Sequence, residues 1–87
     1  MTALHPAVPN PVTGDVQIGF DLREAGLVRL DILEVSGRVV AELPSRVWTA
    51  GTWETQRNGK GVPSGVHWVR MSVGTHEVGR GKFLLLR

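Results

Sequence analysis

The chain has 87 residues and a mass of 9.5 kDa, which is enough for one small domain. Hydrophobic residues make up 41% and charged residues 21%, and these ordinary fractions exclude a disordered acidic or basic tail. The net charge is only +2 and the basic residues are scattered along the chain, so we expect no nucleic-acid partner.

Cysteine is absent, which excludes disulfides, thiolate nucleophiles and zinc knuckles. No apolar run approaches the roughly 18 residues of a membrane helix, so we expect no membrane-spanning segment. The first ten residues have neither the cationic nor the apolar region of a signal peptide, so we expect none in this chain; a secreted parent protein could still carry one upstream.

Eleven Gly and five Pro interrupt the chain at short intervals, and β-branched, alternating runs lie between them. Residues 4–11 contain three prolines and are predicted to form an edge strand or an extended lead-in. Residues 15–22 alternate between apolar and polar positions, which predicts a half-buried strand. Its predicted inward residues are Val16, Ile18, Phe20 and Leu22.

The next predicted strand covers residues 27–35 and is taken as a neighbour of the first, with Asp31 facing outward. Leu33 and Val35 break the alternation, which indicates a bulge or a strand end that is buried on both sides. A turn at Ser36-Gly37 leads to a return strand over residues 38–43. Residues 45–50 are predicted to be a loop or crossover.

Three more strands are predicted over residues 51–57, 66–73 and 77–86. The facing of the middle one is decided by Arg70, because burying an unpaired guanidinium is expensive. We therefore expect Trp68 to face outward beside Arg70. The predicted inward residues of that strand are His67, Val69, Met71 and Val73.

About seven strands, joined mostly by hairpins, must bury an apolar face without a helix to cover it. The pattern predicts an all-β fold, an immunoglobulin-like antiparallel β-sandwich that spans residues 1–87 as a single domain. A small barrel is the alternative architecture.

Several segments in a fixed order resemble a known family. They are Pro9-Asn10-Pro11, residues 28–40 (VRLDILEVSGRVV), Ala50-Gly51, residues 61–70 (GVPSGVHWVR), and Lys82 with the apolar run and basic end that follow it. Together they resemble the C-terminal sorting domain (type A) of proteins secreted by the type IX system. They are also similar to the immunoglobulin-like domain of the flagellar hook-capping protein.

The resemblance implies a non-catalytic C-terminal sorting and anchoring module of a larger secreted protein. Such domains fold in the periplasm, are recognised by the outer-membrane translocon and are commonly removed by a sortase-like enzyme at the cell surface. The implied partners are therefore the outer-membrane secretion machinery and an upstream cargo domain.

The residues themselves indicate no chemistry. The three histidines, at positions 5, 67 and 76, do not fall at ligand spacing beside carboxylates, so a satisfied or solvated histidine is the better interpretation of each. The serines lie in no nucleophile-elbow context and the carboxylates are dispersed. We expect no enzyme activity, no cofactor and no metal site.

Candidate partner-binding residues are the charged positions that match the family pattern and one exposed aromatic: Arg38, Trp68, Arg70 and Lys82. For the three charged residues, a cross-strand salt bridge with Glu34, Asp31 or Glu77 is an equally good interpretation. Trp68 is expected to form a cation–π pair with Arg70, a docking spot, or both. Turn conformations that a side chain would strain are predicted at Gly37, Gly51 and Gly65.

Two alternative functions remain open. Exposed tryptophans on a β-sandwich form a platform for sugar rings, which would make the domain a polysaccharide-binding or adhesive module beside a hydrolase. The competing interpretation places Trp53 in the core and Trp48 over one end of the sandwich. The second alternative is a structural module that assembles through its strand edges into an envelope or flagellar structure.

Overall fold

The structure, a computed structural model, describes residues 1–86 and contains eight strands but no helix within that range. The strands are β1 (Ala3–Leu4), β2 (Val16–Leu22), β3 (Gly26–Glu34), β4 (Val39–Glu42), β5 (Arg46–Trp48), β6 (Gly51–Arg57), β7 (Gly65–Val73) and β8 (His76–Leu85). They form two antiparallel sheets in a sandwich, which confirms the predicted fold class. The short strand β1 lies at the start of the segment predicted as an edge strand or lead-in, and β5 is the strand beyond the predicted set.

The smaller sheet has the order β1-β2-β6, and the larger sheet has the order β4-β3-β7-β8 with β5 also paired to β3. This distribution corresponds to strands A, B and E and strands C, F and G of an immunoglobulin-like sandwich. Two predictions are wrong in detail. The strands at residues 15–22 and 27–35 are not neighbours, because the chain crosses between the sheets after β2, and residues 46–48 form β5 instead of a loop.

The proline-rich N-terminal segment, residues 5–12, which we call the lead, pairs first with the smaller sheet and then with the larger one. The His5 amide donates to the Gly19 carbonyl at 2.9 Å, in the smaller sheet. The Val12 amide then donates to the Leu84 carbonyl at 2.7 Å, and the Leu86 amide donates to the Val12 carbonyl at 2.8 Å. The lead thus connects the sheets along one side of the sandwich and covers the C-terminal end of β8, which is otherwise an edge strand.

The core lies between the two sheets and is built by alternation along the strands. The inward residues predicted for β2 are all buried, as are His67, Val69 and Met71 of β7. His67 is only 3% exposed; its ring stacks on Phe83 with centroids 5.9 Å apart, and its Nδ1 lies 3.0 Å from the Gly65 carbonyl oxygen. A satisfied core histidine is therefore the correct interpretation of this residue.

The middle of β3 is buried on both faces. A register shift between Ile32 and Leu33, in the pairing with β4, confirms the irregularity that the broken alternation predicted. Leu33 is fully buried yet lies opposite Trp68, on the face that points away from the other sheet. Asp31 lies on the same outer face, as predicted, but it is 1% exposed because neighbouring side chains cover it.

Candidate functional site

The outer surface of the larger sheet brings together three of the four predicted partner residues. We call it the Trp68 face. Two cross-strand rows define it, Leu33–Trp68–Lys82 and Asp31–Arg70–Arg80, with the pair Val66–Leu84 beside the first row. Opposed residues in a sheet point to the same side, so the register places these eight side chains on one surface. Trp68, Arg70 and Lys82 therefore share a face, whereas Arg38 lies elsewhere.

Trp68 forms its cation–π contact with Lys82, not with Arg70 as predicted. The Lys82 ammonium lies 5.9 Å from the centroid of the indole, at the limit of a cation–π contact. The Arg70 guanidinium instead pairs with a carboxylate on the neighbouring strand. Within residues 1–86, Lys82 forms no ion pair, so its charge is available to a partner.

That carboxylate belongs to Asp31, which lies between two guanidinium groups. Asp31 Oδ2 accepts hydrogen bonds from Arg70 Nη2 at 2.7 Å and Nε at 3.2 Å, and Oδ1 accepts one from Arg29 Nε at 3.2 Å. A buried carboxylate is costly unless it is paired and hydrogen-bonded, and here both conditions are met. Arg70 is thus a structural ion-pair residue whose remaining surface borders Trp68.

Arg38 lies on the β3–β4 hairpin and pairs with Glu34. Arg38 Nε is 3.1 Å from Glu34 Oε1, and Nη2 donates to Oε2 at 3.2 Å. The Ser36 hydroxyl, which donates to Oε1 at 2.6 Å, and then Arg38 hold the pKa of Glu34 below its ordinary value. Glu34 lies opposite the core residue His67, so this pair is at the end of the sandwich and off the Trp68 face.

The third acidic residue considered for pairing, Glu77, takes Arg80 as its partner instead of Lys82. Arg80 Nε and Nη2 donate to the two carboxylate oxygens of Glu77 at 3.0 and 3.1 Å. These hydrogen bonds lower the pKa of Glu77 and raise that of Arg80. Arg70 and Arg80 face each other across β7 and β8, and each is drawn to its own carboxylate.

The three glycines singled out from the sequence have positive backbone φ angles: 92° at Gly37, 142° at Gly51 and 134° at Gly65. Gly37 is the clearest case, because its amide donates to the Glu34 carbonyl at 2.8 Å and closes the hairpin turn. A residue with a Cβ atom is strained at that φ value. This hairpin turn also positions Arg38 against Glu34.

Trp48 and Trp53 do not form a flat platform. Their ring centroids are 5.3 Å apart with planes tilted by 49°, and Trp48 meets Phe20 edge-on at 5.3 Å. The Arg46 guanidinium carbon lies 3.9 Å above the Trp48 ring, and Trp53 Nε1 donates to the Thr49 carbonyl at 2.8 Å. The two rings therefore pack against each other and against Phe20, and Arg46 covers one face of Trp48.

Sequence reasoning missed the apolar part of the Trp68 face. Leu33, Val66 and Leu84 surround the indole, and the only signal for this was the break in alternation at Leu33. Over residues 1–86, no three His, Asp or Glu side chains are grouped as metal ligands. No helix in this range is long and apolar enough to cross a membrane.

Comparison with protein families gives one finding. The sequence model of the family described as the secretion system C-terminal sorting domain matches residues 7–84, well over half of the 87-residue chain. This match confirms the resemblance to type IX sorting domains. Comparison with curated proteins and with solved structures gives no match in either case.

Proposed function

This chain belongs to the family of secretion-system C-terminal sorting domains, and we propose that it directs a larger cargo protein through the type IX system to the cell surface. Membership assigns it a sorting role, an interaction with the secretion machinery, and a secreted or surface-attached parent protein. The family is one of sorting signals and not of enzymes. The cargo route and the receptor contact are our proposal.

The observation that supports this function most strongly is the extent of the family match. Residues 7–84 include six complete strands, β2 to β7, and all of β8 except Leu85. The matched unit is therefore the sandwich itself and not one short tag within it. We propose that residues 1–87 act as the C-terminal module of the cargo and fold in the periplasm before the outer-membrane machinery recognises them.

The Trp68 face is the surface that we propose for this recognition. It combines a partly buried indole, two flanking aliphatic side chains, Val66 and Leu84, and the cation of Lys82, which forms no ion pair within residues 1–86. Tryptophan and arginine dominate the binding energy of many interfaces when apolar neighbours exclude water around them. A receptor surface with an apolar patch and a carboxylate for Lys82 would be complementary. Arg38, which is 74% exposed, is proposed as a separate contact.

The test is to append residues 1–87 to a periplasmic reporter enzyme in a cell that has the type IX system. We expect the reporter to become accessible to a protease added outside the cell. Accessibility should be lost when the tail is omitted, and also in a strain that lacks the outer-membrane translocon. A tailed reporter that stays in the periplasm of the competent strain, while the tail melts cooperatively in isolation, would contradict the proposal.

A further inference from the structure

The smaller sheet ends at β6, and one backbone edge of this strand is unpaired in residues 1–86. β6 is seven residues long and contains no proline. Its other edge pairs with β2 over its whole length, from Gly51 to Arg57. In a complete immunoglobulin-like sheet a further strand lies beside this position, in the order A-B-E-D. An unpaired strand edge of this length is a template for the addition of another strand.

An open cleft of about 330 Å³ lies beside this edge, between β6 and the segment that leads from β4 into β5. Two core residues, Val28 and Leu30, are at its base. Trp48, Leu43 and Thr55 contribute to its walls. The surface of the sandwich is therefore indented at the place where a strand D would cover it, with the buried side chains of Val28 and Leu30 beneath.

The charged residues that line the cleft are both cationic, Arg46 and Arg57, and no carboxylate is among its lining residues. Arg46 lies over the Trp48 ring at 3.9 Å, and Arg57 Nη1 donates to the Asn58 carbonyl at 2.6 Å. Neither guanidinium pairs with a carboxylate within residues 1–86. Guanidinium groups bind carboxylates in a bidentate geometry, so this charge favours an acidic occupant.

We propose that this cleft binds an extended acidic peptide, which pairs with β6 as an added strand and places its carboxylates on Arg46 and Arg57. A peptide satisfies the backbone donors and acceptors of β6 at their own spacing, which a polysaccharide does not. The aromatic ring that a sugar would stack on, Trp48, is already covered by Arg46.

This site is separate from the Trp68 face, because it lies on the β6 side of the sandwich while the Trp68 face is the outer surface of β3, β7 and β8. The inference does not depend on the proposed route of secretion. A failure to sort a reporter would leave it standing, and a failure to bind peptide would leave the sorting proposal standing.

The test uses the purified 87-residue chain and a fluorescent seven-residue peptide of alternating Glu and Val, matched in length to β6. Fluorescence anisotropy should show saturable binding. The Arg57→Gln variant and the Arg46→Gln/Arg57→Gln double variant should weaken it, the latter by about tenfold or more. Arg23→Gln removes an exposed arginine outside the cleft and should leave the Kd within about twofold.

Two further probes separate the parts of the proposal. A peptide of the same sequence with methylated backbone amides should bind at least about tenfold more weakly, because it cannot pair as a strand. Equal binding by the methylated peptide, an unchanged Kd in the double variant, or no binding at about 1 mM peptide would overturn the inference. The inference would also be overturned if polygalacturonate displaced the peptide at a concentration of carboxylate groups below that of the peptide. That result would assign the cleft to an anionic polysaccharide. Each variant is compared only after a thermal melt shows that it is folded.

Discussion

At the scale of single residues, Asp31 decides how the outer face of the larger sheet is organised. It is a buried carboxylate on a surface that would otherwise be exposed, and Arg29 and Arg70 cover it. Arg70 is held in this ion pair, and the cation that lies over the Trp68 indole is Lys82. The position of Asp31 therefore determines which cation of this face is available to a partner.

Replacing Asp31 by Asn should destabilise the domain by about 3 kcal/mol, because the carboxylate would no longer offset the desolvation of the two guanidinium groups. Chemical denaturation measures this loss. Glu42→Gln is the matched control, since Glu42 is an exposed carboxylate whose nearest contact to Arg29 is 3.5 Å; it should cost less than about 1 kcal/mol. Equal losses in the two variants would show that burial of Asp31 does not matter.

Asp21 gives a prediction for pH dependence. His5 Nε2 lies 3.0 Å from Asp21 Oδ2, the Thr52 hydroxyl donates to Oδ1 at 2.8 Å, and these hydrogen bonds hold the pKa of Asp21 below its ordinary value of 3.8. A lowered pKa in the folded state stabilises the fold above pH 3.8, and this contribution is lost as the pH falls through the folded pKa.

An NMR titration should therefore place the Asp21 carboxyl below 3.8, and His5→Gln should move it upward toward that value. Thermal melts from about pH 6 to about pH 2 should show the advantage of the native chain over Asp21→Asn shrinking below pH 3.8. An Asp21 that titrates at or above 3.8 in the native chain would disprove the proposed role of these hydrogen bonds.

At the scale of elements, β8 contributes side chains to the core and joins the N-terminal segment to the larger sheet. Phe83 and Leu85 are both 2% exposed in the core, and the backbone of Leu84 and Leu86 pairs with the lead at Val12. Deleting residues 83–87 removes two core side chains and the end of the ladder with β7. In a domain of about 5–15 kcal/mol total stability, each lost side chain removes about 1.5–3 kcal/mol. We expect the truncated chain to have no cooperative thermal transition.

Point variants check the same prediction without shortening the chain. Phe83→Ala should cost about 3–5 kcal/mol because it opens a cavity in the core. Leu84→Ala, one position along and on the half-exposed outer face, should cost clearly less. A truncated chain that still melts cooperatively, or equal losses in the two variants, would contradict this role of β8.

The sequence predicted the strands that have one strongly alternating face. In β2 the four apolar positions of residues 16–22 specify both the strand and its buried side, and in β7 the cost of burying Arg70 specified the facing. It did not predict that β2 and β3 lie in different sheets, because a short connection is compatible with a hairpin and with a crossover. The three residues of β5 are too few to show a period.

The candidate site was predictable only where it depended on one strand. Trp68 and Arg70 share a face because they are two positions apart. The Lys82–Trp68 contact depends on the register of β7 with β8, which contains a shift between Met71 and Ser72 that the sequence does not reveal. The ion pair between Asp31 and Arg70 likewise depends on the register of β3 with β7, which places the two residues opposite each other.

At the scale of the whole molecule, the sandwich presents two separate surfaces. The Trp68 face on the larger sheet combines an indole, aliphatic side chains and a lysine that forms no ion pair within residues 1–86. The cleft beside β6 combines two arginines with a strand edge that is unpaired in the same residues. Because the sheets have no helix to cover them in the described residues, both of these surfaces, which we propose for recognition, are built directly on strands and on their edges.

The most direct test of the central claim, that the folded sandwich is recognised through its Trp68 face, is the fraction of a tailed reporter displayed at the surface of a type IX-competent cell. The tail would carry Lys82→Glu alone or together with Trp68→Thr. A tail with Arg23→Gln is the control, because this substitution leaves the Trp68 face unchanged. We predict display close to the native level for Arg23→Gln, a marked loss for Lys82→Glu and a near-complete loss for the double variant, all with cooperative melts of the purified tails. Native display of a folded double variant would contradict the account.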